Sequence, residues 1–234
     1  MFIGHFAVAL GAKRAAPAVS LGTFLLAAQF ADLLWPTLVL FGVEKVAILP
    51  GATVVTPLAF ISYPYSHSLE MLVVWSLLFA AAYIFVRRGA VRAAAVIAAV
   101  VVSHWVLDVV AHRPDMPVTV GGELRLGLGL WDSLAATFIV ENAMLLIGVY
   151  LYLETTKAVD RTGRYAFWGL IVFLVLINIG NMFGPPPPSV AAVAWSGEAI
   201  WLLVVCGYWV DRHRTVRGAK QDSPGTARGR AFDT

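Results

Sequence analysis

Residues 93–111 of this chain read AAAVIAAVVVSHWVLDVVA, and only His104 and Asp108 in that run have ionisable side chains. A helix rises ~1.5 Å per residue, so a run of this length covers the ~30 Å hydrocarbon core of a bilayer. The run therefore predicts a transmembrane helix that carries two polar groups inside the membrane.

The rest of the chain has a similar character. Of its 234 residues, 59% are hydrophobic and only 13% are charged, with a mean hydropathy of +0.78. A soluble domain has about 25% charged residues, so the composition excludes a soluble globular enzyme. Apolar runs predict six membrane spans, at 18–42, 67–86, 93–111, 134–153, 165–183 and 190–210.

The predicted fold is therefore all-α, a polytopic integral membrane protein with six transmembrane helices and a short N-terminal half-helix. That half-helix, at 2–11, is too short to cross the bilayer. Pro36 is expected to kink the first span. We expect residues 1–213 to form a single transmembrane domain and residues 214–234 to form a disordered, basic cytoplasmic tail.

The positive charges predict the orientation, because Lys and Arg are retained on the cytoplasmic side. With the tail and three basic connections inside, 14 of the 17 basic residues are cytoplasmic, and only Lys45, Arg113 and Arg125 lie outside. The segment 211–234 holds six basic residues and three acids, which accounts for the whole net charge of +3. The basicity is that of a short tail, so we expect no nucleic-acid partner.

Five acids fall within the predicted spans, all in the outer half or near the middle. A charged residue there costs ~2.5–3.5 kcal/mol on insertion scales, so these acids must face inward, be neutralised or bind something. Four of the five histidines lie on the same outer side. The acids are Asp32, Glu70, Asp108, Glu141 and Glu198.

The most specific local pattern is His104, Asp108 and His112, which are spaced by four residues. On a helix this spacing places them in one stripe, where imidazole and carboxylate can bind a divalent ion. His67, Asp32 and His5 are expected at a compatible depth in other helices. The alternative is a buried polar network that holds the helices in register.

The order of these elements resembles a bacterial family of inner-membrane-associated, metal-dependent hydrolases, over about the first 115 residues. The matching segments are Gly4-His5, Ala31-Asp32-Leu33-Leu34, Ser62-Tyr63-Pro64-Tyr65-Ser66-His67-Ser68 and His104 to Asp108. Ser62 and Leu34 stand where the family has a further histidine and aspartate. The resemblance implies a multi-pass protein of the bacterial inner membrane.

The resemblance also implies a metal site. Its ligands would be Asp32, His67, His104 and Asp108, with His5 completing a second site or lying in the outer shell. The expected cofactor is a divalent metal, zinc, with manganese as the alternative.

The same ligand order is similar to the zinc-dependent phospholipases C, which activate water against a phosphodiester. This implies hydrolysis of a phosphoester in a lipid-like or phosphorylated small-molecule substrate at the outer leaflet. Glu70 or Glu141 would accept the proton or orient the imidazoles. His112 and Arg113 would bind the substrate, although Arg113 could equally snorkel to the interface.

Two other functions fit the same residues. Acids in five different spans are also expected in a transporter or proton-coupled permease, and a non-catalytic membrane protein could use them only to fix helix packing. A lipid-facing surface and a subunit interface have similar compositions in membranes, so the sequence makes no prediction of oligomeric state.

Overall fold

The computed structural model describes residues 1–218 and is mostly helical. The helices are α1 (Phe2–Ala15), α2 (Leu21–Ala28), α3 (Phe30–Leu40), α4 (Pro64–His67), α5 (Leu69–Val86), α6 (Val91–Ala111), α7 (Leu134–Thr155), α8 (Arg161–Phe183), α9 (Val190–Glu198) and α10 (Ile200–Arg212). The strands are β1 (Lys45–Ile48), β2 (Leu58–Ser62), β3 (Met116–Pro117), β4 (Arg125–Leu126), β5 (Thr156–Ala158) and β6 (Arg214–Val216).

Five helical segments in the described part of the chain are long and apolar enough to cross a membrane. They are α5, α6, α7, α8 and the continuous segment formed by α9 and α10. The pair α2 and α3 makes a sixth if it is counted as one bent span. The prediction of a mostly helical chain is therefore confirmed, and its apolar helices are compatible with a helical membrane protein. Helix α1 has 14 residues, extends past the predicted end at Gly11, and is still shorter than the candidate spans.

The first predicted span is broken rather than kinked at its proline. Helices α2 and α3 meet at Gln29 with a bend of 53°, whereas Pro36 lies inside α3. In an unbroken helix the Ala28 carbonyl would accept a hydrogen bond from the backbone N–H of Asp32, four residues later. Here it accepts a hydrogen bond of 2.7 Å from His104 Nδ1 instead. A tertiary contact therefore accompanies the break, which the local sequence did not indicate.

Small polar residues define where many helices begin. At five helix starts a side-chain oxygen accepts a hydrogen bond from the backbone N–H three residues later. The capping residues are Ser20, Ser68, Ser133, Asp160 and Ser189. Such caps satisfy donors that the first helical turn leaves free. Ser68 is the cap that separates α4 from α5, so the span predicted from His67 begins at Leu69.

Among residues 1–218 there are three two-stranded antiparallel sheets, which the all-α prediction omitted, and they lie in the connections and in the segment after α10. The pairs β1–β2 and β3–β4 lie at one end of the helix bundle, which we call the loop end. There Trp35, Val46, Tyr63, Met116 and Val193 form a small apolar cluster. The strands are two to five residues long, too short for an alternating pattern to stand out.

The opposite end, which we call the tail end, is closed by the third sheet. Strand β6 pairs with β5 in the register Thr156 with Val216. The ordered chain therefore extends past the predicted domain boundary at His213. The disordered tail was predicted from residue 214, and its part from 219 to 234 lies outside the described residues.

Helix α1 is buried between the longer helices. It packs mainly on α7, where Gly148 lets the backbone at Ala7 approach closely. At the tail end, the buried Lys13 Nζ donates to Asp211 Oδ2 at 2.8 Å and to the Val19 carbonyl at 2.8 Å. These contacts place the first residues of α1, including His5, deep in the bundle.

Candidate metal centre

Four helices bring together all five predicted metal ligands. His5 comes from α1, Asp32 from α3, His67 from the end of α4, and both His104 and Asp108 from α6. Two overlapping groups have ligand atoms within 4.8 Å of one another: His5, His104 and Asp108, and Asp32, His67 and His104. We call the five residues the His/Asp cluster.

The two aspartates lie opposite two imidazole nitrogens. His104 Nε2 is 3.1 Å from Asp108 Oδ2 and 3.8 Å from Asp32 Oδ1. His67 Nε2 is 3.5 Å from Asp32 Oδ1 and 3.8 Å from Asp108 Oδ2. Both histidines and Asp108 are buried, whereas the Asp32 side chain is 28% exposed. Asp32 is therefore the accessible side of the cluster.

The protonation of His104 follows from its neighbour. A carbonyl oxygen can only accept, so the 2.7 Å contact with Ala28 places a proton on Nδ1 of the ring. In the neutral ring the other nitrogen, Nε2, then carries a lone pair. Nε2 is buried and has no hydrogen-bond partner among the described residues.

His67 is oriented in the same way by a longer chain of hydrogen bonds. Ser66 Oγ lies 2.6 Å from Glu44 Oε2 and 2.7 Å from His67 Nδ1. The carboxylate accepts the single hydroxyl proton, so Ser66 Oγ accepts from His67 Nδ1–H. Nε2 of His67 is thus also the lone-pair nitrogen, and it faces the two aspartates.

This arrangement fits a bound cation. Neutral Nε2 atoms and carboxylate oxygens all present lone pairs to one another at 3.1–3.8 Å. Lone pairs at these distances repel one another, and a proton or a metal ion bound between the nitrogen and oxygen atoms removes that repulsion. Metal-ligating histidines usually donate their other ring N–H to a carbonyl or carboxylate-linked group, as His104 and His67 do. Imidazole and carboxylate are also the donors that zinc prefers apart from thiolate.

His5 contacts the other oxygen of Asp108. Its Nε2 donates to Asp108 Oδ1 at 3.0 Å, and the amino group of Met1 lies 2.6 Å from the same oxygen. The His5 ring stacks on the His104 ring with centroids 3.8 Å apart. His5 Nδ1 is buried and has no partner in the described part of the chain.

No family model, curated protein or solved structure matches the chain. The resemblance to inner-membrane hydrolases therefore stays a prediction from four short motifs.

Sequence reasoning missed two residues next to the cluster. Glu44 was not singled out in the sequence, yet its buried carboxylate accepts from Tyr65 N, Ser66 N and the Ser66 hydroxyl. Gln29 is fully buried at the α2–α3 break, and neither polar atom of its amide has a hydrogen-bond partner within residues 1–218. A glutamine within an apolar run was the available signal for Gln29, whereas only the fold reveals Glu44.

The two predicted proton acceptors have other partners. Glu70 is exposed and accepts from the Val120 backbone at 2.9 Å. Glu141 is buried and accepts from the backbone N–H groups of Phe2 and Ile3, so it satisfies the free donors at the start of α1. Neither acid belongs to the two groups of ligand atoms found among the described residues.

The predicted substrate residues lie at the loop end, outside the cluster. Helix α6 ends at Ala111, so His112 leaves the predicted stripe with extended backbone angles. Its Nδ1 lies 2.9 Å from Asp115 Oδ1, and its ring packs on Trp131. Burial lowers the pKa of His112. Arg113 Nε donates to Asp115 Oδ2 at 3.1 Å, so both residues order this connection.

Proposed function

We propose that this protein is a membrane-embedded, metal-dependent hydrolase that cleaves a phosphoester of a lipid-like substrate near the outer face of the bacterial inner membrane. The observation that supports this most strongly is the pair of Nε2 atoms on His67 and His104. Each faces the two aspartates, and each ring is held by a hydrogen bond at Nδ1. The proposal includes six spans, with α2 and α3 forming one bent span, and a cytoplasmic C-terminus.

Asp32, His67, His104 and Asp108 would hold the ion, with zinc expected and manganese as the alternative. When bound, a divalent metal acts as a Lewis acid on a phosphoryl oxygen and lowers the pKa of water toward neutrality. The buried cluster excludes bulk water, and the partly exposed Asp32 leaves an approach for the phosphate.

The cluster also contains a candidate proton acceptor. His5 Nε2–H donates to Asp108 Oδ1, which leaves Nδ1 as an acceptor that no described residue contacts by a hydrogen bond. A carboxylate behind an imidazole orients the ring and stabilises its protonated form. We therefore assign proton transfer to His5, because Glu70 and Glu141 are already bonded to backbone groups.

The permease alternative has less support. It needs intramembrane acids that are free to exchange protons, whereas Glu141 accepts two backbone N–H bonds and Glu198 accepts from the Thr37 hydroxyl at 2.5 Å. These contacts are typical of acids that hold helices together.

Metal content tests the proposal. Protein purified in mild detergent with zinc or manganese should retain about one divalent ion per chain. His104→Ala and Asp108→Ala should each lose most of it, because each removes a donor that faces the shared centre. His213→Ala is the control, since that histidine pairs with Asp160 at the tail end. Full metal retention in both cluster variants would contradict the proposed site.

A further inference from the structure

An apolar groove runs along α1 from the tail end toward the His/Asp cluster. It lies between α1, α6 and α7 and has a volume of about 540 Å³. On α1 it extends from Ala15 to Ala7, a distance of ~12 Å along the helix axis. Small residues in the walls make room for the groove. They are Ala7, Gly11, Ala12, Ala15, Ala99 and Gly148.

The walls of the groove, as far as the described residues line it, are almost entirely apolar. Ser103 has the only polar side chain in the lining, and its hydroxyl already donates to the Val100 carbonyl at 2.7 Å. The groove opens sideways, because Ala99 and Ile147 on its rim are exposed on the surface of membrane-spanning helices. A hydrocarbon chain can therefore enter from the bilayer without crossing water.

One end of the groove lies beside the cluster. Ser103 directly precedes His104 on α6. Met144 lines the groove on α7, and its methyl group lies beside Gly4, the neighbour of His5. The end of the groove that is farther from the tail end therefore lies next to His104 and His5 of the His/Asp cluster.

We propose that this groove binds one hydrocarbon chain of a phosphorylated lipid whose phosphate lies at the His/Asp cluster. The proposal rests on the proposed function for the position of the phosphate. Its own support is the apolar lining, the lateral opening and the continuity with His104 and His5. The volume is within the ~300–1,000 Å³ range of small-molecule pockets.

The test uses the full chain in vesicles of phosphatidylethanolamine and phosphatidylglycerol. The probe is phosphatidic acid with a diazirine at the end of one acyl chain. After irradiation, mass spectrometry should find label on Ile147 and Leu151 at about tenfold the level found on Leu176, an exposed residue of α8. Equal labelling of the three residues would show ordinary surrounding lipid and overturn the proposal.

A matched pair of variants tests whether the groove itself is occupied. Ala99→Phe adds a ring to the wall and should lower labelling of Ile147 and Leu151 about tenfold. Ala95→Phe adds the same ring one turn away on α6, at an exposed residue outside the lining, and should leave labelling unchanged. Equal effects of the two variants would contradict a specific site.

Failure of this inference can be distinguished from failure of the proposed function. Ala99→Phe should keep the metal content of the unmodified protein, because its side chain lies outside the cluster. Metal retention together with uniform labelling would reject the groove alone. Groove labelling without any bound metal would reject the hydrolase, and the groove would remain a lipid-chain site.

Discussion

His104 donates its Nδ1–H to the carbonyl oxygen of Ala28 across the bundle, at 2.7 Å. The two residues are 76 positions apart in the chain. The carbonyl lies at the end of α2, beside the 53° bend at Gln29. This one bond therefore ties the break in the first span to the side-chain orientation of a candidate metal ligand.

The Glu44 carboxylate should support metal binding without contacting the metal. In Glu44→Gln the side chain loses its charge and one of its acceptor oxygens, which weakens the hold on Ser66 and hence on the His67 ring. Loss of such an orienting partner typically lowers metal affinity 10–100-fold, so we expect about tenfold here. Titration of zinc in the presence of a competing chelator measures the zinc affinity of the variant and of the unmodified protein.

Glu123→Gln is the matched control, because Glu123 is an exposed acid in the loop before β4. It should leave the zinc affinity unchanged. Ser66→Ala should reproduce the Glu44→Gln effect, since it removes the hydroxyl that joins Glu44 to His67. An unchanged affinity in both Glu44→Gln and Ser66→Ala would contradict the orienting role.

Gly148 should be required for the position of α1. A Cβ at this residue would overlap the backbone of Ala7, which cannot move without displacing the helix. We expect Gly148→Ala to lower the free energy of unfolding by about 1–3 kcal/mol, the usual cost of overpacking. The variant should also bind zinc more weakly, because His5 of α1 donates a hydrogen bond to Asp108, one of the proposed ligands. Thermal unfolding in detergent and metal content are the measurements.

Gly169→Ala provides the comparison. A Cβ there would have no neighbour within 4 Å in the part of the chain that the structure describes, so the substitution should be neutral or slightly stabilising. Equal stabilities of the two alanine variants would show that α1 and α7 can separate without cost.

The ion pair between Lys13 and Asp211 should hold the tail end closed. Lys13 is buried, and removal of one partner leaves the other charge unpaired. We expect Lys13→Met to destabilise the fold by about 3–5 kcal/mol. The double variant Lys13→Met with Asp211→Leu should recover most of that loss in the same unfolding assay. A double variant as unstable as the sum of its single changes would exclude pairing as the cause.

The site was partly predictable because its residues are conspicuous. His104 and Asp108 interrupt an apolar run at helical spacing, and the cost of a charge in lipid requires a partner for each. The partners of Glu141 were not predictable in this way, because an acid that satisfies the N–H groups of α1 looks no different in sequence from an acid that accepts a proton. The departure of His112 from the stripe was not predictable either, because the spacing of four residues gave no sign that α6 ends at Ala111.

The amino-acid sequence alone determined the helical membrane class and the candidate ligands, since hydropathy and the cost of buried charge are properties of local composition. The tertiary structure decided the bend at Gln29, the ring orientation of His67 and His104, and the partners of Glu44 and Glu141. Each of these depends on hydrogen bonds between segments that are distant in the chain, and such bonds are absent from any local pattern.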